Sequence, residues 1–475
     1  MIGTAIALTL FCRVVYKKTM RPPKRFKGLP YITSWDMIKS ILEGNSIQEH
    51  FEKYIEPLLD KAHGLYVQPL FLGWQLRSSN PRVNKLIMSD MALFPKHQGL
   101  FGSKPTLINK FLGGRHIGIV EGDEWRRHRK IVNPAFHRAL PVDLFGVLTG
   151  KSFVMMDSIG LSNLEVAPIC SRMTLDAIGI AGFGFDFEAI SDADSEWAVR
   201  YAAIKEGMSS IFYALFDVFD YELVRLSPKR VKAHKELDRL LEKIDAMVDS
   251  KRDEITKSIQ LPSYKEIPDS KKDILTLMIE AELQGEGQLS NEELRRNVVG
   301  FFMAGHDTTS NSLAFILGQL ARAPEVQQKA REEIINLLGD EPEDIYPTTQ
   351  DVRNMPYLDA IIKETLRLNP PISNTLVRIV TKEMEIEGIP VEEGSLVDVD
   401  AIATHLYSKN WENPKEFIPE RFLGTHDPSS SKEGVSWIPF GYGSHHCLGM
   451  NFSLMEQRVF LSIMEISQKD YGWDK

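Results

Sequence analysis

The chain has 475 residues, 43% of them hydrophobic, and a net charge of −9, enough for a large core; no linker, low-complexity tract or repeat divides it, so it reads as one large folded unit behind a short N-terminal appendage. Its three cysteines, Cys12, Cys170 and Cys447, are odd in number and far apart, which argues against a disulfide framework and suits a reducing compartment. Seven cations from Arg13 to Lys27 precede the first acidic residue, Asp36, so the remainder carries −16 and lacks the basic stripe of a nucleic-acid binder.

Residues 1–16, MIGTAIALTLFCRVVY, are apolar apart from Arg13. The run is shorter than the roughly 20 residues of a spanning helix. Cations follow it and no small-residue cleavage site appears, so it reads as an N-terminal membrane anchor, with the next domain on the cytoplasmic side, in preference to a cleaved signal. The alternative is a frayed tail with no membrane role. Residues 17–34 contain RPPKRFKGLP, a basic, Pro-rich hinge expected to be stiff and non-helical. Residues 35–475 then form the folded domain.

Within that domain, residues 64–79 have short apolar runs broken by Gly73 and predict a small hairpin; helical periodicity dominates afterwards. GIAGFGF, Gly179–Phe185, ends an apolar helix-like run and has its glycines in the order G-x-x-G-x-G, so it reads as a helix C-terminus and not as a dinucleotide-binding turn. Ser290 and Glu293 form a capping box opening a helix that runs to about Ala323, roughly 30 residues or 45 Å. Pro324 opens a second helix ending at Gly339, and Pro356–Leu368 reads as a third, stopped by Pro370-Pro371. MEIEGIPVEEGSLVDV alternates and turns like short strands. The class is mainly α with a minor β region.

Three places carry chemistry. The long helix is interrupted by AGHDTT, Ala304–Thr309. Ala304 and Thr308 share a face with Phe301, Gly305 and Ser312, and Thr308 can hydrogen-bond the Ala304 carbonyl, leaving a groove beside small residues for a planar cofactor. Asp307 and Thr308 could pass protons into an apolar pocket; a helix kink with satisfied hydroxyls explains the same residues. His306 lies on another face and reads as a structural or surface histidine in preference to a ligand. Next, Glu364 and Arg367 in KETLRLNPP are an i, i+3 pair among apolar neighbours, with Arg421 in FIPERF a possible third member if the pair is buried. Finally, PFGYGSHHCLGM, Pro439–Met450, sets Cys447 among glycines as a free thiol or a metal ligand. A zinc site from His445, His446 and Cys447 is disfavoured, because three consecutive side chains diverge.

Taken together, A-G-x-D-T-T at Ala304–Thr309, E-x-x-R at Glu364–Arg367, P-E-R-F at Pro419–Phe422 and F-x-x-G-x-x-x-C-x-G at Phe440–Gly449 resemble the cytochrome P-450 superfamily of heme-thiolate monooxygenases over nearly the whole chain. The resemblance implies the cytochrome P-450 fold, a single large domain with the long helix over a b-type heme. Cys447 becomes the axial iron ligand in a loop with Phe440, Gly441 and Gly449. Trp125 and Arg129 (W-x-x-x-R), Arg378 and His445 become heme-binding residues, and Glu364, Arg367 and Arg421 a structural triad. Asp307 and Thr308 become the acid-and-alcohol pair of oxygen activation. A substrate pocket is implied around Phe301, Ala304, Gly305 and Ile372, with the loop Phe101–Leu112 and the helices near Tyr201–Phe219.

The expected activity inserts one oxygen atom from O2 into a hydrophobic small molecule. Electrons come from NADPH through a separate reductase, and the enzyme sits in the endoplasmic reticulum membrane with its catalytic domain in the cytosol. The alternatives are a peroxide isomerase or lyase and a heme-binding but inactive protein. Two departures stand out. His445 replaces the family's usual arginine and is a weaker, pH-dependent partner for a propionate. Residues 448–475 are all that follow Cys447, where the family continues into a β-rich tail. The expectation is therefore either an incomplete sequence or an open pocket.

Overall fold

The computed structural model describes residues 20–471, apart from 71–72, 98, 100–103, 139, 161–163, 209, 211, 214–215, 286, 340–345 and 425–433. The expected anchor, the first residues of the hinge and Phe101 lie outside the described residues. The chain divides into two compact units, one containing residues up to 100 and 366–447, the other 101–365 and 448 onward.

In chain order, the first unit begins with α1 (Ser34–Leu42), β1 (Leu65–Leu70), β2 (Gly73–Ser78) and α2 (Pro81–Ser89). The second supplies α3 (Leu107–Leu112), α4 (Gly122–Arg138), α5 (Val142–Ile159), α6 (Val166–Ala177), α7 (Glu196–Met208), α8 (Pro228–Ser258) and α9 (Ile274–Leu283). It continues with α10 (Asn291–Arg322), α11 (Pro324–Leu338) and α12 (Pro356–Leu368), along which the boundary falls. β3 (Arg378–Ile379), β4 (Met384–Ile386), β5 (Ile389–Val391), β6 (Leu396–Val399) and α13 (Ala401–Leu406) return to the first unit, and α14 (Met450–Tyr471) belongs to the second.

The first unit is built on a four-stranded sheet in the order β1-β2-β6-β3, with β4 and β5 a separate hairpin. Leu70 pairs with Gly73 at the antiparallel β1–β2 turn, so the expected hairpin is present. Strand side chains alternate faces. Leu65, Val67, Leu76, Val397 and Val399 pack with Ile87 and Phe94 in an apolar core. The interleaved Tyr66, Gln68, Arg77 and Asp398, with Asp400, are equally buried.

Arg77 answers both acids on that polar side. Its Nε donates to Asp398 at 3.2 Å and its guanidinium lies 3.3 Å from Asp400, which also accepts from the Tyr66 hydroxyl at 2.5 Å and from the Ala403 N–H at 2.8 Å. Among the described residues one cation serves two carboxylates, and burial pushes Asp398 up to about 6. Because the folded pKa exceeds the unfolded one, the folded state holds the extra proton. The associated stability is present below about pH 4 and is lost as pH rises through 6. Stability should therefore fall by up to about 3 kcal/mol across that window, and Asp398→Asn should flatten the slope. Denaturant midpoints from pH 4 to 7 measure it.

In the second unit, α10 opens on the expected capping box, with Glu293 N–H donating to Ser290 Oγ at 3.2 Å and Ser290 N–H to Glu293 Oε2 at 2.8 Å. α11 and α12 start at Pro324 and Pro356 as anticipated. Residues 166–183 continue from α6 through a wider turn and end at Gly184, whose φ of +67° is the left-handed cap expected at GIAGFGF. This run is apolar enough to cross a membrane but is 67% buried in the structure, the pattern of a core helix. In the hinge, Lys24–Phe26 form one short 3-10 turn where no helical residue was expected.

Candidate functional site

Residues 438–447 form a loop of nested turns: Gly441 N–H donates to Ile438 O at 3.0 Å, and Cys447 N–H to Phe440 O at 2.8 Å. Gly441 and Gly443 take φ of +69° and +74°, and a Cβ on Gly443 would stand 2.9 Å from the Met88 carbonyl oxygen, so a side chain is excluded there. The result is an exposed Cys447 thiol. Cys170 is buried, and burial pushes its thiol up to about 12, which leaves it inert. His446 turns back so that its Nδ1 meets the Gly443 carbonyl at 2.8 Å. His445 ends the turn Gly443–His445 and is half-buried.

The same unit places two cations together. Lys96 and Arg378 are bridge partners, 8% and 5% exposed, and Arg378 donates to the Phe94 carbonyl at 2.8 Å. Arg378 was expected; Lys96 was not, because a lone lysine in LFPKHQG carries no spacing signal. Such a buried pair suits a carboxylate-bearing ligand. The chemistry of the donor set, an exposed thiol and buried cations, therefore fits a heme with its propionates. Ile372 is 55% exposed.

Arg367 is fully buried and fills its fork with backbone carbonyls: His405 at 2.8 Å, Pro414 at 2.6 Å and Glu416 at 3.1 Å. Its guanidinium also lies 5.1 Å above Trp411. Glu364 is likewise 0% exposed, which agrees with the buried alternative for this motif. Arg421 donates to the Asn413 carbonyl at 2.7 Å. Trp411, Phe422, Trp437 and Phe440 then follow one another with ring centres about 6 Å apart, leading from Arg367 to the cysteine loop.

On α10, Thr308 Oγ1 donates to the Ala304 carbonyl at 3.0 Å, as expected, and Ala304 is exposed. The shared face splits, however. A Cβ on Gly305 would come within 2.7 Å of Ile178, so this glycine serves the close approach of α10 to the turn after α6 and presents no open groove. Phe301 packs edge-on against Phe136, and Ser312 donates to Gln457 of α14 at 2.7 Å. Thr309 meets Ser453 of α14 at 2.9 Å. His306 is structural: it is fully buried against Tyr201, with Nδ1 2.6 Å from the Phe302 carbonyl.

Asp307 reaches α7. It accepts from the Tyr201 hydroxyl and, at 2.6 Å, from the Lys205 ammonium. Burial and the Asp307 charge push the Tyr201 phenol far up, so it stays a donor. Lys205, 48% exposed in its side chain, connects the carboxylate to water. Neither partner was anticipated, although Tyr201 and Lys205 have the i, i+4 spacing of one helix face.

On α4, Arg129 lies over Trp125 at 5.9 Å. Beside them, ligand atoms of Glu124, His128 and Glu293 come within 4.8 Å of one another. The donor set does not suit a metal, because Arg115 holds Glu124 and Arg127 forks onto Glu293, whose carboxyl is thereby held well below its usual range. Asn297 also fixes the imidazole. Its Oδ1 accepts from Ile117 N–H at 2.9 Å, so its Nδ2 donates to His128 Nδ1 at 3.1 Å, leaving the proton on Nε2 where a metal would need the lone pair.

A family model described as cytochrome P450 matches residues 89–464. The chain belongs to the cytochrome P450 family. Curated P450 relatives include cytochrome P450 4A7 of Oryctolagus cuniculus, 28% identical over 74% of this chain and 68% of that protein. Cytochrome P450 3A29 of Sus scrofa is 27% identical over 87% of this chain and 79% of that protein. A third, the taurochenodeoxycholic 6 alpha-hydroxylase of Sus scrofa, is 29% identical over 73% and 68%. Among solved structures, the cytochrome P450DA heme domain has a TM-score of 0.70 at 23% identity and covers 88% of each chain, which establishes the P450 fold. P450s are heme-containing oxidoreductases, monooxygenases in general, and this chain shares that class and that cofactor.

Proposed function

We propose that this P450 holds heme through Cys447 and inserts one oxygen atom from O2 into a hydrophobic small molecule, with electrons from NADPH delivered by a separate flavoprotein reductase at the endoplasmic reticulum membrane. The observation that carries the reading is the Cys447 thiol, exposed at the end of a loop in which Gly441 and Gly443 take positive φ and Gly443 leaves no room for a side chain. Within the first unit, Arg378, Lys96 and His445 would hold the propionates. Bound heme supplies oxygen-activating chemistry, to which a thiolate ligand adds electron density that favours O–O cleavage.

The chain's own part is proton handling. Lys205, half-exposed, donates to Asp307 at 2.6 Å and links it to water, and Thr308 holds a hydroxyl proton one residue away. Asp307→Asn removes the titratable group and should lower turnover about 100-fold, with heme loading unchanged. Lys205→Ala should leave loading intact and alter the solvent isotope effect on turnover. An unchanged rate for the Asp307 variant would remove this carboxylate from the relay. The activity itself is tested with NADPH and a P450 reductase against a panel of lipophilic substrates, alongside a lipid hydroperoxide alone. Product only with the hydroperoxide would replace the monooxygenase reading by the isomerase one.

A further inference from the structure

His405 is buried at 0% exposure in the last turn of α13, with no catalytic assignment, yet it touches both halves of the first unit's apparatus. Its carbonyl accepts from Arg367 at 2.8 Å. Its ring Nε2 lies 2.9 Å from the backbone N of Ile438, the residue that opens the cysteine loop. A peptide N–H can only donate, so Nε2 bears the lone pair and the ring proton sits on Nδ1, which has no hydrogen-bond partner among the described residues. Among the described residues nothing else competes for the ring, and its neutral tautomer is dictated by the bond it makes. Burial and the neighbouring Arg367 push its pKa down to about 3, so the acceptor persists across the physiological range.

From these contacts we infer that His405 is a positioning residue for Cys447: it bolts the amino-terminal end of the loop 438–447 to the Arg367 cluster and so sets where the thiol is presented. The inference rests on Cys447 being the heme ligand. The bond path is continuous within one unit. Arg367 fixes the His405 backbone, the ring fixes Ile438 N–H, Ile438 O accepts from Gly441 N–H, and Phe440 O accepts from Cys447 N–H. Histidine suits the place because its Nε2 stands farther from the backbone than an asparagine oxygen reaches. A leucine of similar bulk would leave a buried N–H unpaired.

The test compares His405→Leu, which fills the space without an acceptor, with His405→Gln, whose Oε1 restores one near Nε2. Two readouts are taken on the full chain: amide exchange at Ile438, and the ratio of thiolate-type to thiol-type absorption in the ferrous carbon monoxide complex. The leucine variant should exchange Ile438 at least tenfold faster and shift at least half of the complex to the thiol type, and glutamine should recover most of both. A leucine variant with wild-type exchange and spectrum overturns the inference, as does a glutamine variant that folds yet matches leucine in both. If leucine prevents folding, the glutamine variant decides alone: protection at Ile438 with a thiolate spectrum supports the bolt, and loss of either refutes it. Absence of the thiolate spectrum in the wild-type chain would instead sink the heme reading, leaving the exchange result to judge the bond itself.

Discussion

Cys447→Ser is expected to abolish the thiolate-type spectrum of the ferrous carbon monoxide complex and to reduce reductase-supported turnover by at least about 100-fold. A serine hydroxyl keeps the size of the side chain but ionises far less readily than a thiol, so it cannot supply the anionic, polarisable ligand that favours O–O cleavage. The loop itself should survive the change, because its bonds run through the backbone: Cys447 N–H to Phe440 O and Gly441 N–H to Ile438 O. Thermal unfolding of the variant should therefore stay close to wild type when both are measured without heme. A Cys447→Ser protein with an unaltered spectrum would remove this residue from the metal, and Cys170, buried and held protonated, is no substitute.

Arg367→Met should destabilise the chain by about 3–5 kcal/mol, the cost of breaking a buried charged cluster. That is a large share of a typical folding free energy. Three carbonyls, at His405, Pro414 and Glu416, would lose their donor, and Glu364, fully buried three residues earlier on α12, would lose a neighbouring cation. Arg367→Lys should recover only part of the loss, since an ammonium cannot spread its donors over three separated carbonyls as the planar fork does. Denaturant midpoints with unchanged slopes would report this as stability. The carbon monoxide complex would report how much of the cysteine loop is lost with it. A methionine variant within 1 kcal/mol of wild type would place the stabilisation elsewhere.

These two sites differ in how plainly the sequence announces them. Cys447 sits in a loop whose glycine spacing is legible at a glance, because positive φ and close backbone approach tolerate little else. The same holds for the capping box at Ser290 and Glu293 and for Pro324 and Pro356 at helix starts. Each depends on atoms within one turn of chain, so local chemistry suffices to place it. The hairpin around Gly73 and the short strands from Met384 to Val399 were readable for the same reason.

Partnerships over long separations were not readable. Asp307 was legible as half of an acid-and-alcohol pair, but its hydrogen-bond partners Tyr201 and Lys205, about a hundred residues earlier, were not. Gly305 looked like open space for a ligand, yet it admits Ile178 from a neighbouring helix. His405 and Lys96 carried no motif at all, since their meaning comes from Ile438 and Arg378, brought beside them by folding. His128 could have passed for a metal ligand until Asn297 fixed its tautomer.

The sequence by itself determined the family, the cofactor and the bounds of the three helices that begin after Ser290 and at Pro324 and Pro356, and it singled out the thiol proposed to carry the heme, because backbone conformation and local capping are encoded within a few residues. Only the tertiary structure decided which buried polar groups answer one another. A donor or acceptor is satisfied by whatever the fold brings within about 3 Å, and that proximity is a property of packing with no local signature.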